Sequence, residues 1–369
     1  MRWLGFSLLA AGCVAAACWG PAQLWPTTAA PDGVYGRAGD GPSGLALLSA
    51  QAEKGALQAD VPRPASAANP PSPASPPVTA VAEPFLPEVA EAACTTLLPR
   101  LPGLSRAQCV ATRLQASGAL SRQGAPLYWR DVLPPASVAS KGQPDAEPLR
   151  VLVVGAMHGD ELTAASLALR WIGMAAAEGA VDAGEPAPVH WRFIPVLNPD
   201  GLLAPKPTRV NAGGVDLNRN FPTPGWAEEA PVYWEKRTRK DPRRWPGHTP
   251  LSEPESRFLH QQMDQFQPQL VVSIHAPYGV LDFDGPHDPP LRLGRLRMDK
   301  LGVFPGSLGH YGGLHRGVPV VTIELEHALR MPPDAEVRAM WRDLRHWMNT
   351  RLLDGADAVA GVKPPGLQR

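Results

Sequence analysis

Four short apolar runs limit what this chain can fold into: Val151–Val154, Trp191–Leu197, Leu270–Ile274 and Val318–Ile323. Each is rich in Val, Ile or other large apolar residues and is bounded by Gly, Pro or polar residues. This is the pattern of strands buried on both faces of a sheet. Helical stretches lie between them. Leu162–Met174 is Ala-rich and amphipathic, and Asp334–Leu353 reads as a C-terminal helix. At Ser252-Glu253-Pro254-Glu255 a helix start is expected, with Ser252 as cap, Pro254 in the first turn and Glu255 completing a capping box. Strands alternating with helices predict a single α/β domain, with a mixed, largely parallel central sheet covered by helices on both faces.

Each run is followed at once by polar groups able to do chemistry. The first leads into His158-Gly159-Asp160-Glu161, the second into Asn198-Pro199-Asp200-Gly201, the third into His275 and the fourth into Glu324. Open α/β sheets bind ligands beyond the carboxyl ends of their strands, so four separate segments are expected to meet at one edge. The residue types fit a catalytic zinc ion. Zinc takes imidazole nitrogen and carboxylate oxygen, and three protein ligands leave a fourth position open. His158 and Glu161, three apart at a strand-to-helix turn, can chelate one ion, and His275 closes the set from a neighbouring strand. A lone His-x-x-Glu would be an ordinary loop pattern. The other strand-end groups make this one specific.

Between about Ser121 and Leu353 the chain resembles the zinc metallocarboxypeptidase family that includes carboxypeptidase A. The motifs that carry the resemblance occur in the family's order: His158-Gly159-Asp160-Glu161, Asn198-Pro199-Asp200-Gly201, Gly214-Val215-Asp216-Leu217-Asn218-Arg219-Asn220-Phe221, Ser273-Ile274-His275 and Thr322-Ile323-Glu324-Leu325. Arg209–Asp216 and Pro305–Gly309 resemble most the bacterial murein peptide amidase branch.

The resemblance implies roles. His158, Glu161 and His275 match the zinc ligands, and Glu324 matches the general base that takes a proton from the attacking water and passes it to the leaving amine. Arg209 matches the arginine that stabilises the oxyanion. Asn218 and Arg219 match the pair that grips a substrate carboxylate, and Asp216 matches the carboxylate that orients the first zinc histidine. The chemistry agrees, since a planar guanidinium donates two parallel hydrogen bonds to a carboxylate and a metal-bound histidine usually donates its other N–H to an acceptor. The competing structural readings are an internal salt bridge at Arg219 and a turn cap at Asp216. Tyr311, in a glycine-rich stretch, is the candidate for the family's mobile tyrosine over the substrate, although its spacing to Glu324 is shorter than in the digestive enzymes. Asp282 is either a partner for a cationic substrate group or a loop carboxylate in solvent. Trp234–Trp245 reads as a basic loop that either holds an acidic peptide or is a solvated surface.

The rest of the chain bounds compartment and partners. Residues 1–25 read as a signal peptide or N-terminal membrane anchor: Arg2 precedes a run from Trp3 to Trp19 that is almost wholly apolar. Cleavage near Ala15-Ala16-Ala17, lipid attachment at Cys13 and retention as an anchor all stay open. Residues 26–87 form a Pro/Ala-rich linker that cannot build a packed core. The peptidase domain is expected over 88–355, with a flexible tail over 356–369. Cys94 and Cys109 are placed either as a disulfide or as two buried thiols. With 35 cationic and 35 acidic side chains the chain has no overall pull toward nucleic acid. The reading is therefore an exported, monomeric zinc peptidase that acts on peptides or peptidoglycan fragments, with a membrane tether through its N-terminus as one of the open fates. A zinc deacylase of N-acyl amino acids, similar to aspartoacylase, and a catalytically inactive cell-wall-binding module are the alternatives.

Overall fold

The computed structural model describes residues 86–134, 147–178 and 188–352. The expected leader, nearly all of the linker and the tail lie outside the described residues. The strands are β1 (Gln115–Leu120), β2 (Pro126–Val132), β3 (Leu149–Val154), β4 (Val189–Ile194), β5 (Leu270–His275), β6 (Val280–Asp284), a small hairpin of β7 (Arg292–Leu293) and β8 (Leu296–Arg297), and β9 (Val320–Glu324). Seven of them form one mixed sheet in the order β1-β2-β4-β3-β5-β9-β6. The four centre strands β4, β3, β5 and β9 run parallel, and β2 and β6 flank them antiparallel.

The four expected strands are these centre strands, with shifted ends. β4 stops at Ile194, because the Leu197 and Asn198 amides leave the strand direction and bond to the Gly155 and Ala156 carbonyls. β9 starts at Val320, since the Val318 amide is held by Gly312 O. β1, β2 and β6 were not anticipated; they are flanking strands with partly exposed or polar positions.

Alternation along the strands divides the core. Val151, Val153, Val272, Ile274, Val321 and Ile323 pack with Trp171 of α3 (Leu162–Glu178) and Trp341 of α7 (Asp334–Trp347). Leu152, Val154, Val271 and Val320 face the other way, onto Phe258, Leu259 and Met263 of α6 (Pro254–Phe266). Fully burying each such side chain contributes about 1.5–3 kcal/mol, so the sheet edge that carries the site is held rigidly from both faces. α7 ends at Trp347 and passes into a wider helical turn, Met348–Leu352, rather than running on to Leu353.

At the N-terminal side, α1 (Pro87–Leu97) and α2 (Arg106–Ala111) are joined by a Cys94–Cys109 disulfide, with both residues fully buried. The bridge closes a loop over a sequence separation of 15. Loop-closure entropy for that length amounts to about 3 kcal/mol.

Candidate metal and catalytic site

The C-terminal ends of β3, β5 and β9 lie side by side, so the residues that leave them meet. His275 and Glu324 are register partners on adjacent parallel strands and project from the same face. His158 arrives on the turn between β3 and α3. That turn is pressed against α4 (Pro199–Leu203), where a Cβ at Gly159 would sit 2.2 Å from the Gly201 carbonyl carbon, so only glycine fits. Asn198 fastens the same region. Its side chain accepts from the Gly201 amide at 2.8 Å and donates to Arg209 O at 3.2 Å.

The side chains converge tightly. His158 Nδ1 lies 2.8 Å from Glu161 Oε1 and 3.1 Å from His275 Nδ1, and His275 Nδ1 lies 3.0 Å from Glu161 Oε2. All three residues are buried, at 2–5% exposure. His158 Nε2 faces the Asp216 carboxylate at 3.1 Å, an acceptor only, which puts that ring proton on Nε2, and His275 Nε2 lies 2.9 Å from Ser273 Oγ, which can accept from it when Nδ1 serves as a ligand. The two Nδ1 atoms and the Glu161 carboxylate thus face one another at ligand-to-ligand distances. A tetrahedral zinc with bonds of about 2.0–2.1 Å separates its ligand atoms by roughly 3.3 Å. The three groups fit that ion, and they are the only such cluster among the described residues. Ser273 was not singled out from the sequence, although its position two residues before His275 puts it on the same strand face.

Around this ring, Arg209 Nε donates to Asp216 Oδ2 at 3.0 Å, and Arg209 Nη1 reaches to 3.1 Å from His158 Nδ1. Burial opposes ionisation of Asp216, but Arg209 and His158 hold its carboxyl well below the usual range. Asp216 also accepts from the Asn218 amide, so the turn cap and the histidine partner are one residue. Glu324 is 7% exposed, and its Oε2 has no hydrogen-bond partner among the described residues. Burial, with the Glu161 carboxylate next to it, pushes its carboxyl up to about 8. Arg219 is also buried and leaves Nε unpartnered. Its guanidinium lies 4.4 Å over the Phe304 ring, with no internal salt bridge among the described residues. Asn218 Oδ1 accepts from the Leu308 amide at 2.8 Å, which leaves its amide N–H groups to donate.

Three expectations need correction. Tyr311 is 2% exposed, stacks on Phe221 and bonds through its hydroxyl to His260 and Arg316. It is a packed core residue of the turn Gly309–His315, not a cover over the site. Asp282 is not a solvated loop carboxylate. It sits in β6 at 6% exposure, paired with Thr322, on the sheet face that carries Glu324. The basic run is not all loop: it starts in α5 (Trp226–Lys236), and its Arg243 pairs at 2.7 Å with Asp160, on the turn that carries His158 and Glu161.

Residues 120–284 match the family model described as zinc carboxypeptidase. Murein peptide amidase A of Escherichia coli (strain K12) is 34% identical over 164 residues, which span 43% of this chain and 57% of that protein. Murein peptide amidase A of Vibrio campbellii (strain ATCC BAA-1116) is 32% identical over 219 residues, covering 55% of this chain and 75% of that one. Among solved structures, carboxypeptidase A from Helicoverpa armigera superimposes with a TM-score of 0.51 at 15% identity, over 74% of this chain and 81% of that one. That last likeness concerns the fold.

Proposed function

The chain belongs to the zinc carboxypeptidase family, and from that premise we propose that it hydrolyses an amide bond next to a residue with a free carboxylate, in peptidoglycan stem peptides. One observation carries the reading. Beside a zinc-fitting ring of His158, Glu161 and His275, two buried ionisable groups, Glu324 and Arg219, hold unpartnered polar atoms. Burying a charge without a partner is costly, and a ligand that completes both groups offsets that cost. An inactive wall-binding module has no use for an unpaired carboxylate at this spot. The stem-peptide substrate rests on the likeness to the murein peptide amidases.

His158, Glu161 and His275 would hold the zinc ion, which would lower the pKa of the attacking water to about 7. Glu324 takes the proton of the attacking water and returns it to the leaving nitrogen. Arg209 faces the oxygen that gains charge, steered by Asp216. Asn218 and Arg219 receive the terminal carboxylate.

The test is incubation of the purified protein with defined muropeptides, with products read by mass. Release of a fragment bearing the free carboxylate is expected. Arg219→Ala should raise KM about 10- to 100-fold, as expected for one lost charge-assisted contact. Cleavage of N-acyl amino acids but of no muropeptide would install the deacylase reading instead.

We further infer that the protein acts outside the cytoplasm as a monomer, with its N-terminal segment as leader or tether. The Cys94–Cys109 bridge supports the compartment, because such bonds persist in oxidising surroundings. A reporter joined after Pro87 should be active beyond the inner membrane. Activity confined to the cytoplasm would overturn the inference.

A further inference from the structure

The helix start expected at Ser252–Glu255 is built differently, and the difference bears on the site. Glu253, not Ser252, occupies the cap position of α6, and no side chain caps the helix. Ser252 gives its hydroxyl to Glu253 Oε1 and its amide to Thr249 O, so Glu255 completes no capping box with it. Glu255 Oε1 accepts from the Arg122 amide at 2.9 Å and its Oε2 from Asn211 Nδ2 at 3.0 Å. Glu253 Oε2 accepts from the same Asn211 Nδ2 at 2.7 Å and from Arg122 Nη1 at 2.9 Å. Glu253, Glu255 and Asn211 are 3%, 0% and 3% exposed. Two carboxylates are thus buried against the Asn211 amide group, one arginine whose side chain is about half exposed, and the Ser252 hydroxyl, which donates to Glu253 Oε1 at 2.9 Å. Such an arrangement costs stability compared with apolar packing. What it provides is a fixed position for Asn211.

Asn211 in turn shapes the loop between two site residues. Its Oδ1 accepts from the Gly213 and Val215 amides at 2.9 and 3.2 Å, its own amide donates to Val215 O, and its carbonyl accepts from the Gly214 amide. With both Nδ2 hydrogens and both Oδ1 lone pairs engaged, the side chain has one possible orientation. The closed loop brings Arg209 and Asp216, seven residues apart, into contact at 3.0 Å and sets how far the Arg209 guanidinium reaches toward His158.

We propose that Asn211, clamped by the buried carboxylates of Glu253 and Glu255, is a positioning residue that holds Arg209 at the distance the reaction needs. The proposal rests on the role given above to Arg209. A misplacement of about 1 Å at a reacting group can cost on the order of a hundredfold in rate, so a clamp outside the site acts on kcat through the arginine it aims.

The test is a double-mutant cycle on the full zinc-loaded chain. Arg209→Ala should lower kcat about 10²–10³-fold, the loss seen when one oxyanion donor is removed. Asn211→Ala should lower kcat about 10- to 100-fold, with KM and zinc content near normal. In the Arg209→Ala background the same change should cost less than about threefold, because the group it positions is gone. Equal losses in both backgrounds, or no loss from Asn211→Ala alone, would overturn the clamp and leave the role of Arg209 intact. A silent Arg209→Ala would overturn both. If Asn211→Ala does not fold, Glu255→Gln replaces it in the cycle. Its amide sets a donor against Asn211 Nδ2 or the Arg122 amide, with a smaller loss of the same non-additive form.

Discussion

Glu324→Gln is expected to lower kcat by about 10²–10⁴-fold, the usual contribution of a general acid–base group. Zinc content and KM should stay near normal, because three ligands and a water already complete a tetrahedral site. Glutamine keeps the shape of the side chain and part of its hydrogen bonding but cannot accept the proton. The loss therefore falls on a step that exists only along the reaction path, not on ground-state binding. Glu326 is the internal control. It lies two residues further on, past the end of β9, and is exposed. Glu326→Gln should leave kcat unchanged. Near-normal turnover in Glu324→Gln combined with loss in Glu326→Gln would show the base misplaced by two residues.

His158→Ala and His275→Ala are expected to abolish activity by a different route, through loss of the ion. Each removes one of three protein ligands and leaves an incomplete site. Zinc measured after dialysis should fall well below the wild-type content in both variants, and chelation of the wild-type protein should give the same inactive form. Added zinc should restore the chelated wild type and not the variants at comparable concentrations. Full zinc content in both variants would remove the ligand assignment. Taken with Glu324→Gln, this separates holding the metal from using it.

Local pattern carried much of this protein. The Val- and Ile-rich runs predict buried strands because a strand covered on both faces needs apolar residues throughout. The groups that follow each run must then surface at the sheet edge, so His158, Glu161, His275 and Glu324 are expected to meet there, while the base role of Glu324 rests on the family resemblance. The roles of Arg209, Asp216 and Arg219 came from family motifs, and the structure sets the first two in mutual contact.

Tertiary structure decided the residues whose partners lie far along the chain. Tyr311 sits in a glycine-rich stretch that reads as mobile, yet Phe221, His260 and Arg316 enclose it. Asp282 reads as a loop carboxylate until β6 is seen to pair with β9. Cys94 and Cys109 could be a bridge or two thiols until α1 and α2 bring them to a Cα separation of 5.8 Å. Glu255 has the spacing of a capping box, but its acceptors are used by Arg122 and Asn211, which are 133 and 44 residues away. Sequence spacing encodes which way a side chain leaves its own strand or helix. A buried polar group takes whatever donors the assembled fold presents to it, and those are set by strand order and packing.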